Sequence, residues 1–422
     1  MVYKNYKKIV MKFGGTSMAD IDKISIVADH VQREYKNGTK VAVVVSAMAG
    51  ETDRLINLVN QIGDNIDQSE RDVVISSGEQ VSSALLAMIL NSRNIPSRSM
   101  QGWQIPLQTD ELHGVARINN ISNSALNDII DNREVPIIAG FQGISPNNRV
   151  TTFGRGGSDT TAVAIACSIN ADLCDIYTDV DGVYTADPRI VKSANKIENI
   201  SYEEMLEMAS QGAKVLQTRS VELGMSYGMP IRVRSTFDEN NFEKKNKTIN
   251  IGTIVENEGN VLEDKVVSGI AYSKNEAKIT ILKLEDKPGV AAEIFGKLSE
   301  GGVNVDMIVQ NISGDGMHTD LTFTVPGTEL RKSINILKKL KNEIQYDKLI
   351  ESKEIAKVSV IGVGMRSHAG VAALMFSTLG EKGINIQAIT TSEIKVSVLI
   401  DSQYLELAMR ALHSAYDLDT KS

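Results

Sequence analysis

The sequence predicts an α/β fold in which a mostly parallel sheet is sandwiched by helices, followed by two smaller α/β domains. Two patterns support this prediction. Strand-like and helix-like segments alternate through the first half of the chain, and glycine-rich turns follow several strands, as in parallel βαβ sheets. A segment in the C-terminal part recurs with an offset of 81 residues, which indicates duplicated domains.

The composition is that of an ordinary globular protein. The 422 residues are 42% hydrophobic and 23% charged, which allows large cores in more than one domain. A net charge of −8 and only 5% aromatic residues argue against nucleic-acid binding. No apolar run approaches the ~20 residues that span a bilayer and no signal peptide is evident, so we expect a cytoplasmic protein without membrane contact. Cys167 and Cys174 are expected to pack in a core.

The chain begins with a strand, a glycine turn and a helix. Residues 9–13 form the strand, Gly14 and Gly15 form the turn, and apolar residues then recur at helical spacing. The pattern is neither a P-loop nor a dinucleotide fingerprint, because the lysine precedes the glycines. Lys12, at the end of the strand, can reach a phosphate held on this turn; the alternative is a solvated lysine beside an ordinary turn.

Polar residues also follow the next predicted strand and open the next helices. Residues 41–45 form a continuous apolar strand that leads to Ser46 and Thr52. Glu79 lies at the start of a later helix, where it either complements the helix dipole or binds an ammonium group. The remaining elements predicted in this part are strands at 135–142, 175–178 and 230–234 and helices near 202–210 and 213–226.

Residues 152–161 read Thr-Phe-Gly-Arg-Gly-Gly-Ser-Asp-Thr-Thr and lead directly into an apolar helix. A glycine turn at a helix start leaves backbone N–H groups available to an anion. We expect Ser158 or Asp159 to cap the helix, or Asp159 to orient a lysine or a metal ion. Arg155 adds a planar group suited to carboxylate or phosphate. The alternative is a tight turn beside a capped helix and a solvated arginine.

A parallel sheet brings the polar groups that follow its strands to one edge. The groups concerned are Lys12, Ser46, Thr52, Glu79, Arg155 and Thr178. Each of them has an ordinary structural explanation when taken alone, but their number at one edge predicts a cleft for a small charged substrate and a nucleotide.

The chain turns polar between about residues 237 and 265, which predicts a linker or an exposed hairpin. We expect a first domain at 1–240, a linker at 241–265, and two further domains at 266–345 and 346–422. In the repeat, Asp286 and Ser367 begin equivalent segments, each typical of a βαββαβ unit. Such units pair through their sheets, so we expect a homodimer or a higher even oligomer. A purely structural duplication without a ligand remains the alternative.

Together these motifs resemble those of the aspartate kinases, over nearly the whole chain. They are Lys12-Phe-Gly-Gly-Thr-Ser17, Val45-Ser-Ala-Met48, Ser77-Gly-Glu79, Gly140-Phe-Gln-Gly143, Gly154-Arg-Gly-Gly-Ser-Asp159, the segment 178–189 and the tandem repeat. The resemblance implies an amino-acid-kinase domain followed by two ferredoxin-like ACT domains. It also implies transfer of the γ-phosphate of ATP, with Mg²⁺, to the side chain of L-aspartate, giving 4-phospho-L-aspartate. That reaction opens lysine (diaminopimelate), threonine and methionine biosynthesis.

The resemblance implies a role for individual residues of the first domain. The catalytic residues are Lys12, Asp159 and Lys214. The aspartate-binding residues are Ser46, Thr52, Glu79, Arg155, Gly156, Gly157 and Ser158. The ATP-binding residues are Lys12, Phe13, Gly14, Gly15, Thr178, Asp179, Tyr184 and Arg189. No metal ligand is assigned. A substrate with one ammonium and two carboxylates needs both an anionic and a cationic partner, which agrees with Glu79 and Arg155.

Feedback inhibition by lysine, threonine or both is implied for the ACT domains. The implied effector residues are Asp286, Ala291, Asn304, Val305, Asp306 and Gln310 in the first repeat and Val371, Ala372, Asn385, Ile386, Ser392 and Glu393 in the second. The second repeat departs from the family pattern, since Ala369 stands where relatives usually have Pro and Ala372 where they usually have Thr. We therefore expect weaker inhibition than in such relatives.

Two other functions were weighed against this one. Another amino-acid kinase, acting for example on N-acetylglutamate, would share the glycine turns but would not be expected to carry Glu79 together with the Arg155 motif and the tandem repeat. A non-enzymatic amino-acid sensor would keep the repeat and could dispense with Lys12 and Asp159. Because both residues are present, the kinase is the favoured interpretation.

Overall fold

The computed structural model describes residues 6–63, 65–105, 107–121, 124–212, 215–237, 252–260, 266–312 and 318–420. The chain divides into two compact units. The N-terminal unit comprises Met1–Val183, Lys196–Ala209 and Lys214–Leu262. The C-terminal unit comprises Tyr184–Asn195, Ser210–Ala213 and Glu263–Ser422. Strands and helices are numbered below in chain order.

The described part of the N-terminal unit is built on an eight-stranded sheet. Its spatial order is β10 (Asn199–Ser201), β12 (Thr253–Glu256), β11 (Ile231–Ser235), β9 (Leu173–Thr178), β1 (Lys8–Phe13), β2 (Lys40–Val45), β6 (Val135–Ala139) and β3 (Ser97–Met100). All neighbouring strands are parallel except β11 and β12. The predicted class, α/β with a mostly parallel sheet, is confirmed.

Helices pack around this sheet because their apolar faces match those of the strands. They are α1 (Ile21–Lys36), α2 (Glu51–Asn60), α3 (Gln68–Ile75), α4 (Ser77–Ser92), α5 (Ser124–Asp131), α6 (Gly157–Ser168), α7 (Tyr202–Ser210) and α8 (Thr218–Tyr227). In α6 every residue from Gly157 to Ala166 is buried, and alanines at 162, 164 and 166 allow this close packing. The helix predicted at 213–226 was placed too early, since residues 215–217 are not helical.

The stretch Gln68–Ser92 is long and apolar enough, by length and composition, to cross a membrane. Polar and charged residues interrupt it, so it does not contradict the expectation that no apolar run approaches ~20 residues. In the structure it consists of α3 and α4, and half of its most apolar window is buried inside the protein. It also carries the buried acids Asp72 and Glu79. These features identify it as a pair of core helices.

A second, four-stranded sheet lies in the same unit and was not predicted. Its order is β5 (Ile118–Ile121), β4 (Leu107–Thr109), β7 (Gln142–Ile144) and β8 (Val150–Thr152). The single strand predicted at 135–142 was wrong, because β6 ends at Ala139 and β7 begins in the other sheet. Phe141 between them has a left-handed backbone (φ 68°), which cannot continue a strand.

The described part of the C-terminal unit holds a six-stranded antiparallel sheet. Its order is β14 (Ile308–Ile312), β15 (His318–Pro326), β13 (Gly269–Glu285), β16 (Lys348–Ile361), β18 (Lys395–Asp401) and β17 (Ala388–Ser392). The helices are α9 (Val290–Glu300), α10 (Leu330–Lys339), α11 (Lys341–Ile344), α12 (Val371–Glu381) and α13 (Leu405–Ala415). Short 3₁₀ turns of this unit occur at Val363–Ser367 and Ser402–Tyr404, and another, at Glu258–Asn260, belongs to the N-terminal unit.

The repeat is visible in the backbone of this unit. Gly289 precedes α9 with φ 97°, and Gly370, at the equivalent position, precedes α12 with φ 99°. Strands β13 and β16 pair along most of their length. The second half of β13 also pairs with β15, in the first repeat, and the second half of β16 also pairs with β18, in the second repeat. The predicted limits of the domains, 266–345 and 346–422, remain a prediction.

Candidate active site

Three neighbouring parallel strands of the N-terminal unit end at one edge. Phe13, at the end of β1, pairs with Val45 of β2 and with Tyr177 of β9. Lys12, Ser46 and Thr178 therefore lie at the same edge of the sheet, where ligands of parallel sheets bind. The sequence pattern predicted this grouping.

Lys12 and Asp159 form a buried ion pair. Their charged atoms are 2.5 Å apart, and each side chain is 10% exposed. Lys12 comes from the end of β1 and Asp159 from the first turn of α6. The prediction that Ser158 or Asp159 caps α6 was wrong, because Gly156 occupies the cap position and no side chain bonds there. Asp159 is engaged instead by a lysine from a distant part of the chain.

The turn before α6 requires glycine at position 156. Gly156 has φ 71°, and a Cβ added to it would lie 1.6 Å from Cγ of Gln217. A Cβ on Gly140 would lie 2.7 Å from Oγ of Ser158, so this neighbouring turn also approaches α6 closely. Arg155, in the same turn, is exposed. The turn thus presents a helix N-terminus and a guanidinium, both favourable to an anion.

Glu79 is a buried carboxylate that has, within the described part of the chain, a hydrogen-bond partner on only one of its two oxygens. It is 3% exposed and accepts a backbone hydrogen bond from Ala47. Its Oε2 has no hydrogen-bond partner among the residues that the structure describes. Burial raises the pKa of Glu79 to about 8. A carboxylate in this state gains from any cation that reaches it, because the charged form is otherwise poorly solvated.

The remaining predicted aspartate-binding residues lie close by in the fold. Ser46 follows β2, donates its N–H to the carbonyl of Phe13 at 3.0 Å, and accepts on its own carbonyl from the Ser82 hydroxyl at 2.7 Å. The latter bond ties the end of β2 to α4. Thr52 lies in the first turn of α2 and is half-buried. Gly157 opens α6, and Ser158 is buried beside Gly140.

Part of the predicted ATP-binding set lies at the same sheet edge. The N–H of Gly14 donates to the carbonyl of Tyr177 at 3.3 Å, and Gly15 follows it in the turn. The Phe13 ring is fully buried and stacks on Tyr177 with centroids 4.6 Å apart, so its side chain is not available to a nucleotide. The Thr178 hydroxyl donates to Asp179 at 3.1 Å.

Three of the predicted residues lie outside the described part of the N-terminal unit. Tyr184 and Arg189 belong to the C-terminal unit. There Arg189 pairs with Asp187 at 2.7 Å. Lys214 lies outside the described residues. Their predicted roles in ATP binding and catalysis remain predictions.

Sequence reasoning missed Asp72. This residue of α3 is fully buried, and its carboxylate accepts hydrogen bonds from His113, Gly114 and Thr152. Its one signal in the sequence is a single acid next to the apolar run Val73, Val74 and Ile75. That signal does not reveal its partners, which come from distant segments.

The predicted effector residues all lie in the C-terminal unit, but they do not share one pocket. Asp286, Ala291 and Gln310 line a pocket of about 450 Å³ at the turn between β13 and α9. Asp306 lies outside its lining and pairs with Lys357, a buried residue of β16. The other first-repeat residues are Asn304, which is exposed, and Val305, which packs against the core.

In the second repeat the predicted effector residues are spread over α12 and the β17 region. Val371, Ala372 and Ile386 pack against the core of the C-terminal unit. Asn385, Ser392 and Glu393 are exposed. Ile386 also lines a second pocket, of about 320 Å³, with residues of β14 and β17. The structure thus offers more than one place where a small effector can bind.

The two cysteines behave as packing residues. Cys174 is buried in β9, Cys167 is partly buried in α6, and both are free thiols. Burial raises the pKa of Cys167 to about 11 and also raises that of Cys174. Neither thiol is therefore activated as a nucleophile.

Comparison with known proteins places the chain in a family. The amino acid kinase family model matches residues 7–235, and ACT domain models match residues 278–343 and 358–416. An aspartate kinase from Pseudomonas putida is 49% identical over 412 residues, which cover 97% of this chain and 98% of the relative.

Solved structures agree with the sequence comparison. E. coli aspartokinase III in complex with aspartate and ADP (R-state) is 25% identical with a TM-score of 0.79, covering 96% of this chain and 99% of that one. The same enzyme in complex with lysine and aspartate (T-state) is 26% identical with a TM-score of 0.75, covering 97% and 99%. The predicted family and fold are confirmed. The chain belongs to the aspartate kinases, ATP-dependent phosphotransferases of the amino acid kinase family that carry ACT domains.

Proposed function

We propose that this chain phosphorylates the side-chain carboxylate of L-aspartate with ATP and gives 4-phospho-L-aspartate, the first step towards lysine, threonine and methionine. The observation that carries the proposal is the buried Lys12–Asp159 pair at the sheet edge, in the same unit as the unsatisfied carboxylate of Glu79. The names of the relatives, and the aspartate and ADP bound to the E. coli enzyme, support it.

Recognition of aspartate rests on complementary charges. The ammonium group of the substrate binds Glu79, whose unpaired oxygen is otherwise buried without a partner. A carboxylate of the substrate binds the turn that carries Arg155 and the first N–H groups of α6. Smaller contacts come from Ser46, Thr52, Gly156, Gly157 and Ser158. An amino acid without a free ammonium group loses the contact to Glu79, which disfavours an N-acetylated acceptor.

Phosphoryl transfer between two anions requires cations more than it requires covalent chemistry. The Lys12 ammonium stabilises the negative charge that develops on the transferring group. Asp159 holds the Lys12 side chain, and the buried pair keeps the ammonium oriented before substrates bind. Lys214 provides a second cation in this proposal. The Gly14-Gly15 turn holds the phosphates, with the N–H of Gly15 as the donor because the N–H of Gly14 is bonded to the Tyr177 carbonyl. Thr178, Asp179, Tyr184 and Arg189 bind the rest of ATP.

Mg²⁺ enters this proposal with ATP. Among the described residues, no group of three or more His, Cys, Asp or Glu side chains is arranged to hold a metal ion. At nucleotides Mg²⁺ is usually held mainly by phosphate oxygens and water, with one or two carboxylates. Asp159 is the carboxylate at the site that could contact it. When bound, Mg²⁺ neutralises charge on the phosphates.

The ACT repeat makes feedback control part of the proposal. We assign the pocket lined by Asp286, Ala291 and Gln310 to the effector, lysine or lysine with threonine. Lysine in the T-state structure of the E. coli enzyme supports an amino-acid effector. The other predicted effector residues lie outside this pocket, and we propose that they contact effector where ACT domains pair. They are Asn304, Val305, Asp306, Val371, Ala372, Asn385, Ile386, Ser392 and Glu393. The effector shifts the population towards a less active state. We further propose a cytoplasmic enzyme that forms a homodimer or a higher even oligomer.

The proposal is tested by incubating the protein with MgATP and a panel of amino acids and trapping acyl phosphate as hydroxamate. The panel contains L-aspartate, L-glutamate, N-acetyl-L-glutamate and N-acetyl-L-aspartate. We expect hydroxamate with L-aspartate and little with either N-acetylated compound. Activity with N-acetylglutamate but not aspartate would support the other amino-acid kinase, and no activity with any acceptor would support a sensor.

A further inference from the structure

A single buried carboxylate joins three separate segments of the N-terminal unit. Asp72, on α3, is 0% exposed. It accepts hydrogen bonds from Nδ1 of His113 at 2.9 Å, the N–H of Gly114 at 3.0 Å, the N–H of Thr152 at 3.1 Å and the Thr152 hydroxyl at 2.7 Å. A carboxylate offers about four acceptor sites, so these four donors use most of the acceptor capacity of Asp72, whose side chain is also fully buried.

The bonds to Thr152 and Gly114 fix the base of the turn that carries Arg155. Thr152 is the last residue of β8, and the chain then passes through Phe153 to Gly154. Gly154 has φ 76°, and a Cβ added to it would lie 3.2 Å from the carbonyl oxygen of Gly114. The turn thus rests on the loop that Asp72 holds in place. A shift of that loop moves the turn.

The junction between α3 and α4 connects Asp72 to Glu79. The carbonyl of Asp72 accepts from the N–H of Ser76 at 3.1 Å, and Ser76 joins α3 to α4, on which Glu79 lies. A second hydrogen bond fixes this junction, since the fully buried side chain of Gln142 donates to the carbonyl of Ser76 at 3.1 Å. Asp72 therefore has rigid connections both to the acidic residue Glu79 and to the turn that carries Arg155.

We propose that Asp72 is a positioning residue that sets the spacing between Glu79 and Arg155, and through it the length of amino acid that the site accepts. The inference rests on the proposed function, in which Glu79 binds the ammonium and the Arg155 turn binds a carboxylate. In this inference the carboxylate at the Arg155 turn is that of the side chain. In glutamate that group lies one methylene farther from the ammonium than in aspartate, so a fixed spacing discriminates between them. Loosening the spacing weakens aspartate binding more than glutamate binding.

Thr152 gives the cleanest variants, because valine has the shape of threonine without its hydroxyl and serine keeps the hydroxyl. We expect Thr152→Val to raise KM for aspartate about threefold to tenfold, with kcat and KM for ATP close to wild type. The preference for aspartate over glutamate in kcat/KM should fall by a similar factor. Thr152→Ser should behave like wild type. Asp72→Asn should show a larger effect in the same direction. The side-chain NH₂ group that replaces one carboxylate oxygen is itself a donor, so it cannot accept the hydrogen bonds that this oxygen accepts.

A merely structural role would give a different result. Equal changes in KM for ATP and aspartate, or a lower melting temperature with unchanged kinetics in Thr152→Val, would overturn the inference. If Asp72→Asn does not fold, the matched Thr152 pair still decides. Wild-type protein without aspartate-dependent acyl phosphate would overturn the proposed function itself. An active wild type whose KM for aspartate is unaffected by Thr152→Val would overturn only the role of Asp72.

Discussion

The Lys12 ammonium lies 2.5 Å from the Asp159 carboxylate, and both side chains are 10% exposed. The pair joins the end of β1 to the first turn of α6, where the sheet edge meets a helix N-terminus. Removing two charges from water costs about as much as their attraction returns, so stability alone does not explain such a pair. A catalytic function does explain it, because the pair keeps the Lys12 ammonium oriented towards the phosphoryl group that is transferred.

Removing the Lys12 charge should lower turnover much more than aspartate binding. We expect Lys12→Met to reduce kcat about a hundredfold to a thousandfold, because one preorganised charge is lost from the transition state. The variant should also be less stable by about 3–5 kcal/mol, since Asp159 is left buried and unpaired. Steady-state kinetics and urea unfolding measure the two effects separately.

The matched control for this variant is the double change Lys12→Met and Asp159→Asn. It removes both charges, so most of the lost stability should return while kcat remains low. A Lys12→Met protein with near-wild-type kcat would remove Lys12 from the catalytic set.

Substituting Glu79 should act on aspartate and not on ATP. Glu79→Gln keeps the size of the side chain and removes the charge that meets the substrate ammonium. Losing one charged hydrogen bond should lower kcat/KM for aspartate about tenfold to a hundredfold, mainly through KM. KM for ATP serves as the internal reference. An unchanged KM for aspartate would place Glu79 outside the binding site.

The pKa of Glu79 gives a pH dependence with a definite sign. Burial raises this pKa from 4.5 to about 8, so in the free enzyme the carboxyl is largely protonated below pH 8. Only the ionised form attracts an ammonium group. The kcat/KM for aspartate should therefore rise with pH up to about 8 and then level off. A flat profile in wild type, or an unaltered profile in Glu79→Gln, would contradict this assignment.

The raised pKa of Glu79 should also make the stability of the folded protein fall as the pH rises, whereas kcat/KM for aspartate is expected to increase. The folded state holds the Glu79 proton more tightly than the unfolded state does. This contribution to stability is fully present below pH 4.5 and is lost as the pH rises to about 8. In Glu79→Gln this part of the pH dependence of unfolding should disappear, which thermal unfolding at several pH values can show.

Feedback inhibition should be present but weak, and should strengthen when the family residue is restored. Ala372, in the first turn of α12, lacks the hydroxyl usual in relatives, which removes one hydrogen bond worth about 0.5–1.5 kcal/mol. Ala372→Thr should therefore lower the effector concentration for half inhibition by about twofold to tenfold. The measurement is kinase activity titrated with lysine, threonine and both. Flat curves for both proteins at millimolar effector would leave the repeat a structural module.

Much of the fold could be predicted from local patterns. The helical spacing after Ile21 and the apolar run at 41–45 correspond to α1 and β2. The repeat also appears as expected, down to the glycines at 289 and 370. In these segments the periodicity of the sequence and the demands of the core agree. The edge that gathers Lys12, Ser46 and Thr178 followed from the parallel order of the strands.

The features that escaped prediction depend on partners far away in the chain. The cap of α6 is Gly156 and not Ser158 or Asp159, because the αL backbone before the helix places glycine there. Asp159 pairs with Lys12, in line with the alternative expectation that it orients a lysine. Phe141 adopts a left-handed backbone that its residue type does not predict. The partners of Asp72 come from a loop and from β8. No local rule links these segments, so their contacts appear only in the folded chain.

The most direct test of this account is the chemical identity of the product formed from L-aspartate. The protein is incubated with MgATP and L-aspartate labelled with ¹³C at the side-chain carboxyl, the product is trapped with hydroxylamine, and the labelled carbonyl is examined by NMR. The account predicts that the hydroxamate forms at the labelled side-chain carbon, only with ATP, and is nearly abolished in Lys12→Met. A hydroxamate at the α-carboxyl, or none from L-aspartate, would contradict it.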